Sequence, residues 1–212
     1  MLIPPTVVFK PGLPNCCVLT ILALSTVVPS ILVSTNFTQD HLDYHATFEA
    51  YFAAKSGLFD RVLGPQGWAV INIDDGKGLV RYDACRQRGQ SCLTVGRSAA
   101  DLQILGQTFE ATGQEILCAF QDARYQVKLP LVGGFQGENL LLAAGMVLAA
   151  GGEAEAVFSA LKTVRPVRGR MELAATRANG ASVYVDYAHT PDAVSTALQA
   201  LRPHVRGRLV VV

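Results

Sequence analysis

The chain has 212 residues, half of them hydrophobic and 17% charged, with a formal net charge of +1. That length holds one large domain, or a medium domain with a piece of another, and the scattered basic residues exclude a nucleic-acid-binding surface. Its five cysteines contain no Cys-x-x-Cys pair, which excludes a zinc site and a disulfide framework and reads as reduced thiols.

Residues 1–33 differ from the rest. Lys10 is the sole charged side chain ahead of Asp40, and Cys16 to Val33 is an uncharged apolar run broken by Thr20, Ser25, Thr26, Pro29 and Ser30. A basic residue before an apolar core is the pattern of a signal peptide. The run also sits at the lower length limit for a membrane span, where Pro29 interrupts it. Neither pattern is completed by a cleavage site or a polar linker.

A strand is expected from Ile31 to Phe37, delivering a loop with two imidazoles and two carboxylates: Asp40, His41, Asp43 and His45. A helix follows. Phe48, Phe52, Lys55 and Phe59 recur at i, i+4, i+7 and i+11, with Tyr51 and Leu58 beside them, which places Lys55 on the apolar face. An amine against apolar surface loses proton affinity and becomes a nucleophile able to take up carbon dioxide as a carbamate. Helix geometry alone favours the other outcome, a lysine whose ammonium reaches water.

Gly64 to Gly67 reads as a turn and Trp68 to Ile73 as a buried strand running into Asp74-Asp75-Gly76. A helix is expected near Val80 to Gln87. Strands follow at Thr108–Gln114, Glu115–Phe120 and Tyr125–Leu131. Pro130 to Asn139 reads as a glycine-rich loop ahead of a helix from Leu140 to Ala149, whose N-terminus offers free N–H groups to a ligand. A second helix spans about Ala154 to Thr163. Val183 to Asp192 reads as a strand, a polar turn and a proline-started helix reaching Leu201, and Arg208 to Val212 as one more buried strand.

Several of these strings together resemble the Mur ligase family, in its tripeptide synthetase branch, over Thr35 to Val212. They are Thr35-Asn36-x-x-x-Asp40-His41-Leu42-Asp43-Tyr44-His45, Tyr51-x-Ala53-Ala54-Lys55-x-x-Leu58-Phe59, Asn72-x-Asp74-Asp75 and Pro166-x-x-Gly169-Arg170-Met171-Glu172. The most specific is Asp186-Tyr187-Ala188-His189-Thr190-Pro191-Asp192. Gln136 departs from the pattern, standing where the family usually has an asparagine.

The resemblance implies an α/β fold: a partial three-layer central domain over 34–168, then the start of a Rossmann-like C-terminal domain over 169–212. Residues 1–33 form an unmatched apolar leader, expected to derive from a truncated or frame-shifted gene. Lys55, as a carbamate, and His41 are the implied catalytic residues and magnesium ligands. Asn139 is implied at adenine, Arg170 at the phosphates, Asp186 near ribose and phosphates, Asn72 and Asp75 near the nucleotide, and His189 in the interdomain cleft. ATP and Mg2+ are the implied cofactors. UDP-MurNAc-dipeptide and a diamino acid, meso-diaminopimelate, are the implied substrates of a cytoplasmic monomer with no nucleic-acid or membrane partner.

The sequence holds no Gly-x-x-Gly-Lys-Thr/Ser phosphate loop, so the isolated chain is expected to be inactive. Three other readings stay open at this point: a folylpolyglutamate synthase-like ligase, a non-catalytic ligase remnant, and a metal-dependent hydrolase built on His41, Asp43 and His45.

Overall fold

The computed structural model describes residues 30–37 and 47–212. The leader up to Pro29 and the loop with Asp40, His41, Asp43 and His45 lie outside the described residues. Apolar runs with little alternation at Ile31–Ser34 (β1), Trp68–Asn72 (β2) and Ser91–Gly96 (β3) make three parallel strands in that order. Strands covered on both faces need no polar side, and Ala69, Val70 and Ile71 are all fully buried.

The sheet then changes character. Leu102–Glu110 (β4) runs parallel to β3 over two residue pairs, and Gly113–Phe120 (β5) and Ala123–Leu129 (β6) continue it as antiparallel hairpins. The short step from β3 to β4 is held by Asp101, whose carboxylate accepts from the Thr94 amide (2.8 Å) and hydroxyl (2.7 Å). The first hairpin turns at Ala111 and Thr112, so the strand expected over Thr108–Gln114 is in fact the end of β4, a turn and the start of β5.

Helices cover both faces of the parallel half. Phe48–Gly57 (α1) starts at Thr47, whose side chain accepts from the Ala50 amide, and runs on into a π-helical turn over Leu58–Val62. With Gly76–Gln87 (α2) it buries Phe59, Leu63 and Cys85 against Ala69 and Ile71. The opposite face carries Gly134–Ala149 (α3) and Ala154–Leu161 (α4) over the larger core of Val70, Val95, Leu102, Ile116, Leu141 and Phe158. Three layers result at the parallel half, as the sequence led us to expect.

α3 begins six residues before the expected Leu140. Gly133, at φ 96°, breaks the extended chain, and the buried Gln114 amide donates to the carbonyls of Leu131 and Gly133 (both 2.9 Å). Gly137 can therefore lie on the sheet, where a Cβ would meet Ile116 at 2.4 Å.

Beyond residue 169 come a hairpin, Glu172–Thr176 (β7) with Ser182–Val185 (β8), and Pro191–Leu201 (α5), capped by Thr190 and followed by a 3-10 turn at Arg202–His204. Met171 and Leu201 bury themselves against Val132, the residue before Gly133. The strand expected over Arg208–Val212 does not form: Val210 is 67% exposed and no described strand lies alongside to pair with it. No helix among the described residues is long and apolar enough to cross a membrane.

Candidate functional site

Open α/β sheets place ligands beyond the C-terminal ends of their parallel strands. There the exits of β1 and β2 are tied by one carboxylate. Asp75 caps α2 by accepting from the Lys77 amide (2.8 Å), while its second oxygen accepts from the Phe37 amide (2.9 Å). Asn72, at the end of β2, accepts from the Asp74 amide (2.9 Å), and Asp74 accepts from the Arg97 amide beyond β3 (2.7 Å). Helix α2 comes so close that a Cβ on Gly78 would lie 1.8 Å from the Asn72 carbonyl oxygen.

Phe37 is the hub. Its ring packs against Phe48, Tyr51 and Phe52 with centroids 4.7, 4.9 and 5.2 Å away. Lys55, half-buried, sets its ammonium over the rings of Tyr51 (4.5 Å) and Phe37 (5.4 Å), contacts worth about 0.5–2 kcal/mol each. Lys55 and Asp75 thus touch the same residue, Phe37, and Asn72 holds the turn that carries Asp75. His41 lies outside the described residues, but it is four positions along the chain from Phe37, so it is at most about 14 Å from that hub. Lys55 lies beside the residue from which the His41 loop departs. An imidazole and a lysine-borne carbamate are a chemically apt pair of donors for a divalent ion, and chain length allows them to meet. Among the described residues alone, no group of three or more His, Cys, Asp or Glu makes a metal site.

A second group gathers at Tyr187. Arg170 stacks over its ring (5.3 Å), with no carboxylate partner among the described residues. His189 meets the same ring at 5.1 Å, and its Nδ1 hydrogen-bonds to the Tyr187 carbonyl (2.9 Å). Asp186 accepts from the Met171 amide and the Ala188 amide (both 2.9 Å). That fixes Met171 at φ 50°, in the left-handed region a non-glycine residue seldom adopts, immediately after Arg170. Asn139 stands exposed on the second turn of α3.

Sequence reasoning passed over three residues that organise these groups. Arg81 is 5% exposed, sandwiched between Phe52 and Phe59 (5.0 Å each), and donates to the hydroxyls of Ser34 and Ser56. Burial presses its guanidinium below the ordinary value, opposed by Cys85, Asp75 and Asp60. Arg97 bridges Gln107 (2.7 Å) and Glu138 (2.8 Å), joining the end of β3 to the start of α3. His204 is buried, accepting at Nε2 from the Gly133 amide (2.9 Å) and donating from Nδ1 to the Glu110 carbonyl (2.6 Å). The spacing of Lys77, Arg81 and Cys85, every fourth residue on α2, was the available signal for Arg81.

Comparison with known proteins gives the family. The Mur ligase middle domain matches residues 20–147, and the Mur ligase glutamate ligase domain matches residues 169–212. The chain belongs to the Mur ligase family. The middle-domain match begins inside the apolar stretch that precedes residue 34.

Among Mur ligases, the chain is similar to the UDP-N-acetylmuramoyl-L-alanyl-D-glutamate–2,6-diaminopimelate ligase of Zymomonas mobilis subsp. mobilis. The two are 45% identical over 178 residues, which is 84% of this chain and 37% of that protein. A solved structure of a UDP-N-acetylmuramoyl-L-alanyl-D-glutamate–2,6-diaminopimelate ligase superposes with a TM-score of 0.69 at 32% identity, over 83% of this chain and 36% of that one. The folylpolyglutamate synthase of Mycobacterium tuberculosis, solved with ADP and AMPPCP, shares the fold at 24% identity (TM-score 0.67, 84% of this chain and 39% of that one). The chain therefore spans little more than a third of the length of the Mur ligases it matches.

Proposed function

We propose that the chain carries the metal-anchoring and nucleotide-facing part of an ATP-dependent amide ligase, which adds meso-diaminopimelate to UDP-MurNAc-L-Ala-D-Glu as a cytoplasmic monomer. The observation that carries this reading is the meeting of Lys55 and Asp75 at Phe37, where the His41 loop departs. The 45% identity to a ligase named for that substrate and that diamino acid supports the choice of both.

In this reading the D-glutamate γ-carboxylate takes the γ-phosphoryl group of ATP, and the amine of the diamino acid attacks the acyl phosphate and releases phosphate. His41 and Lys55, as its carbamate, would hold magnesium, which would supply neutralisation of charge on the transferring phosphoryl group. Asp75 fixes the floor beneath Lys55 by binding the Phe37 and Lys77 amides, and Asn72 fixes the turn that carries Asp75. Arg170 offers a planar, permanently charged fork to phosphate oxygens. Asp186 has both oxygens engaged by backbone amides, so its role is to hold the Arg170–Met171 turn in place. Asn139 serves adenine and His189 the cleft between the two parts. A folylpolyglutamate synthase-like activity shares only the fold, and the string from Asp186 to Asp192 favours the peptidoglycan ligase.

A chimera tests this reading. Residues 35–212 replace the matching segment of the Zymomonas ligase, and diaminopimelate-dependent phosphate release is measured with ATP and the UDP-dipeptide. Activity that disappears with Lys55→Ala is expected. A folded chimera with no turnover, or one indifferent to Lys55→Ala, would overturn the proposal.

A further inference from the structure

The part beyond residue 169 meets the rest of the protein through apolar packing and through hydrogen bonds. Met171 and Leu201 pack on Val132, and the Tyr184 hydroxyl donates to the Ala111 carbonyl (2.9 Å) in the β4–β5 turn. His204 reaches furthest in. It is 7% exposed, and the Phe109 ring stands edge-on to its imidazole at 4.9 Å. A carbonyl can only accept and a backbone amide can only donate. The Glu110 carbonyl at Nδ1 (2.6 Å) and the Gly133 amide at Nε2 (2.9 Å) therefore select the Nδ1–H tautomer.

The hydrogen bonds continue beyond Gly133. Its carbonyl accepts from Gln114 Nε2 (2.9 Å), and Gln114 Oε1 accepts from Gln107 Nε2 (2.6 Å). Gln107 Oε1 accepts from Arg97 Nη2 (2.7 Å), which also holds Glu138 on α3 (2.8 Å). The Arg97 amide donates to Asp74 (2.7 Å), at the strand exits where the candidate site lies. Gln114 is fully buried, and turning its amide over would set the oxygen against the carbonyls of Leu131 and Gly133. The path thus has one arrangement, and loss of one end leaves buried polar groups without partners. It also crosses between the two segments that match separate family domains, 20–147 and 169–212.

We propose that His204 is a positioning residue that couples these two parts. Seated, it holds the Gly133 turn, Gln114, Gln107 and Arg97 in one arrangement; withdrawal of the part beyond residue 169 releases that arrangement as far as Asp74. By reciprocity, whatever fixes Arg97 or Asp74 from the side of the site favours the seated histidine. The coupling depends on no particular ligand, so it stands or falls separately from the ligase reading. Tyr184 supplies the control, since its hydrogen bond joins the same two parts but ends on the Ala111 carbonyl, off this path.

The test is NMR on the 15N-labelled 212-residue protein. In wild type, a scalar coupling across the hydrogen bond between the Gly133 amide nitrogen and His204 Nε2 is expected, and its absence would overturn the proposal. Exchange rates are taken relative to the Val157 amide in α4, which lies off the path. His204→Ala should speed exchange of the Gln136 amide, bonded to the Gly133 carbonyl, at least about fivefold. It should speed the Arg97 amide by about two- to thirtyfold. His204→Gln, whose amide oxygen can take the place of Nε2, should restore both rates. His204→Asn, which reaches only the Glu110 carbonyl, should not. Tyr184→Phe should leave Arg97 unchanged. Arg97 exchange that is unaltered in His204→Ala, or raised equally by Tyr184→Phe, would overturn the proposal. If the alanine variant fails to fold, His204→Gln against His204→Asn decides: equal Arg97 rates in those two would overturn it.

Discussion

Replacing Gly78 by alanine isolates the contact that sets the start of α2 against the end of β2. In a free helix interior this exchange stabilises by about 1 kcal/mol, because alanine is the better helix former. At Gly78 the new Cβ would sit 1.8 Å from the Asn72 carbonyl oxygen and 3.0 Å from its carbon. Both are backbone atoms at the end of a buried strand, so no side chain can swing aside. The helix must withdraw by more than an ångström, and overpacking of this kind costs about 1–3 kcal/mol. Withdrawal also pulls Asp75 from the amides of Phe37 and Lys77, bonds worth about 1 kcal/mol each. The expected net loss is about 2–4 kcal/mol. Gly76 is the control: it lies in the same helical turn, but a Cβ there meets nothing within 4 Å. Gly76→Ala should change stability by less than about 0.5 kcal/mol. Urea denaturation followed by the single tryptophan, Trp68 in β2, measures both variants. Equal midpoints for Gly76→Ala and Gly78→Ala would refute the steric argument.

Three further outcomes follow from the same geometry. Asp75→Ala removes a helix cap and the acceptor of the Phe37 amide, so we expect a loss of about 1–3 kcal/mol and faster hydrogen exchange at Phe37 and Lys77. His204→Ala strands the Gly133 amide and the Glu110 carbonyl in a buried setting and should cost about 2–4 kcal/mol, against less than about 0.5 for exposed His189→Ala. Burial pushes the Cys118 thiol from 9.0 up to about 11. With the folded value above the unfolded one, its contribution is complete below pH 9 and is lost as the pH rises through 11, about 3 kcal/mol at most. Cys118→Ala should flatten the alkaline decline seen in wild type; parallel pH profiles would count against this.

The parallel half of the fold was legible because its signals are local. The apolar run at Trp68–Asn72 and the turn at Gly64–Gly67 each state their structure within a few residues, as does the Thr190-Pro191 helix start in the part beyond residue 169. The hairpin at Ala111-Thr112 was hidden because neither residue is a turn former, so Thr108–Gln114 read as one strand. The early start of α3 depends on Gln114, a residue about twenty positions upstream, reaching back to the carbonyls of Leu131 and Gly133. Arg81 and His204 were missed for the same reason. Their partners Ser34 and Glu110 are distant in sequence, and only the folded chain makes a buried cation or a bridging imidazole intelligible. At the candidate site, the motifs named Lys55 and Asp75 separately, whereas the hub at Phe37 that joins them carries no motif signal of its own.

Lys55 as a carbamate-bearing anchor is the central claim, and 13C NMR of the protein in labelled bicarbonate with magnesium tests it most directly. The account predicts a carbamate carbon resonance in wild type that vanishes in Lys55→Gln and weakens when His41 is replaced by alanine. A wild-type spectrum without that resonance, or one unchanged by Lys55→Gln, would contradict it.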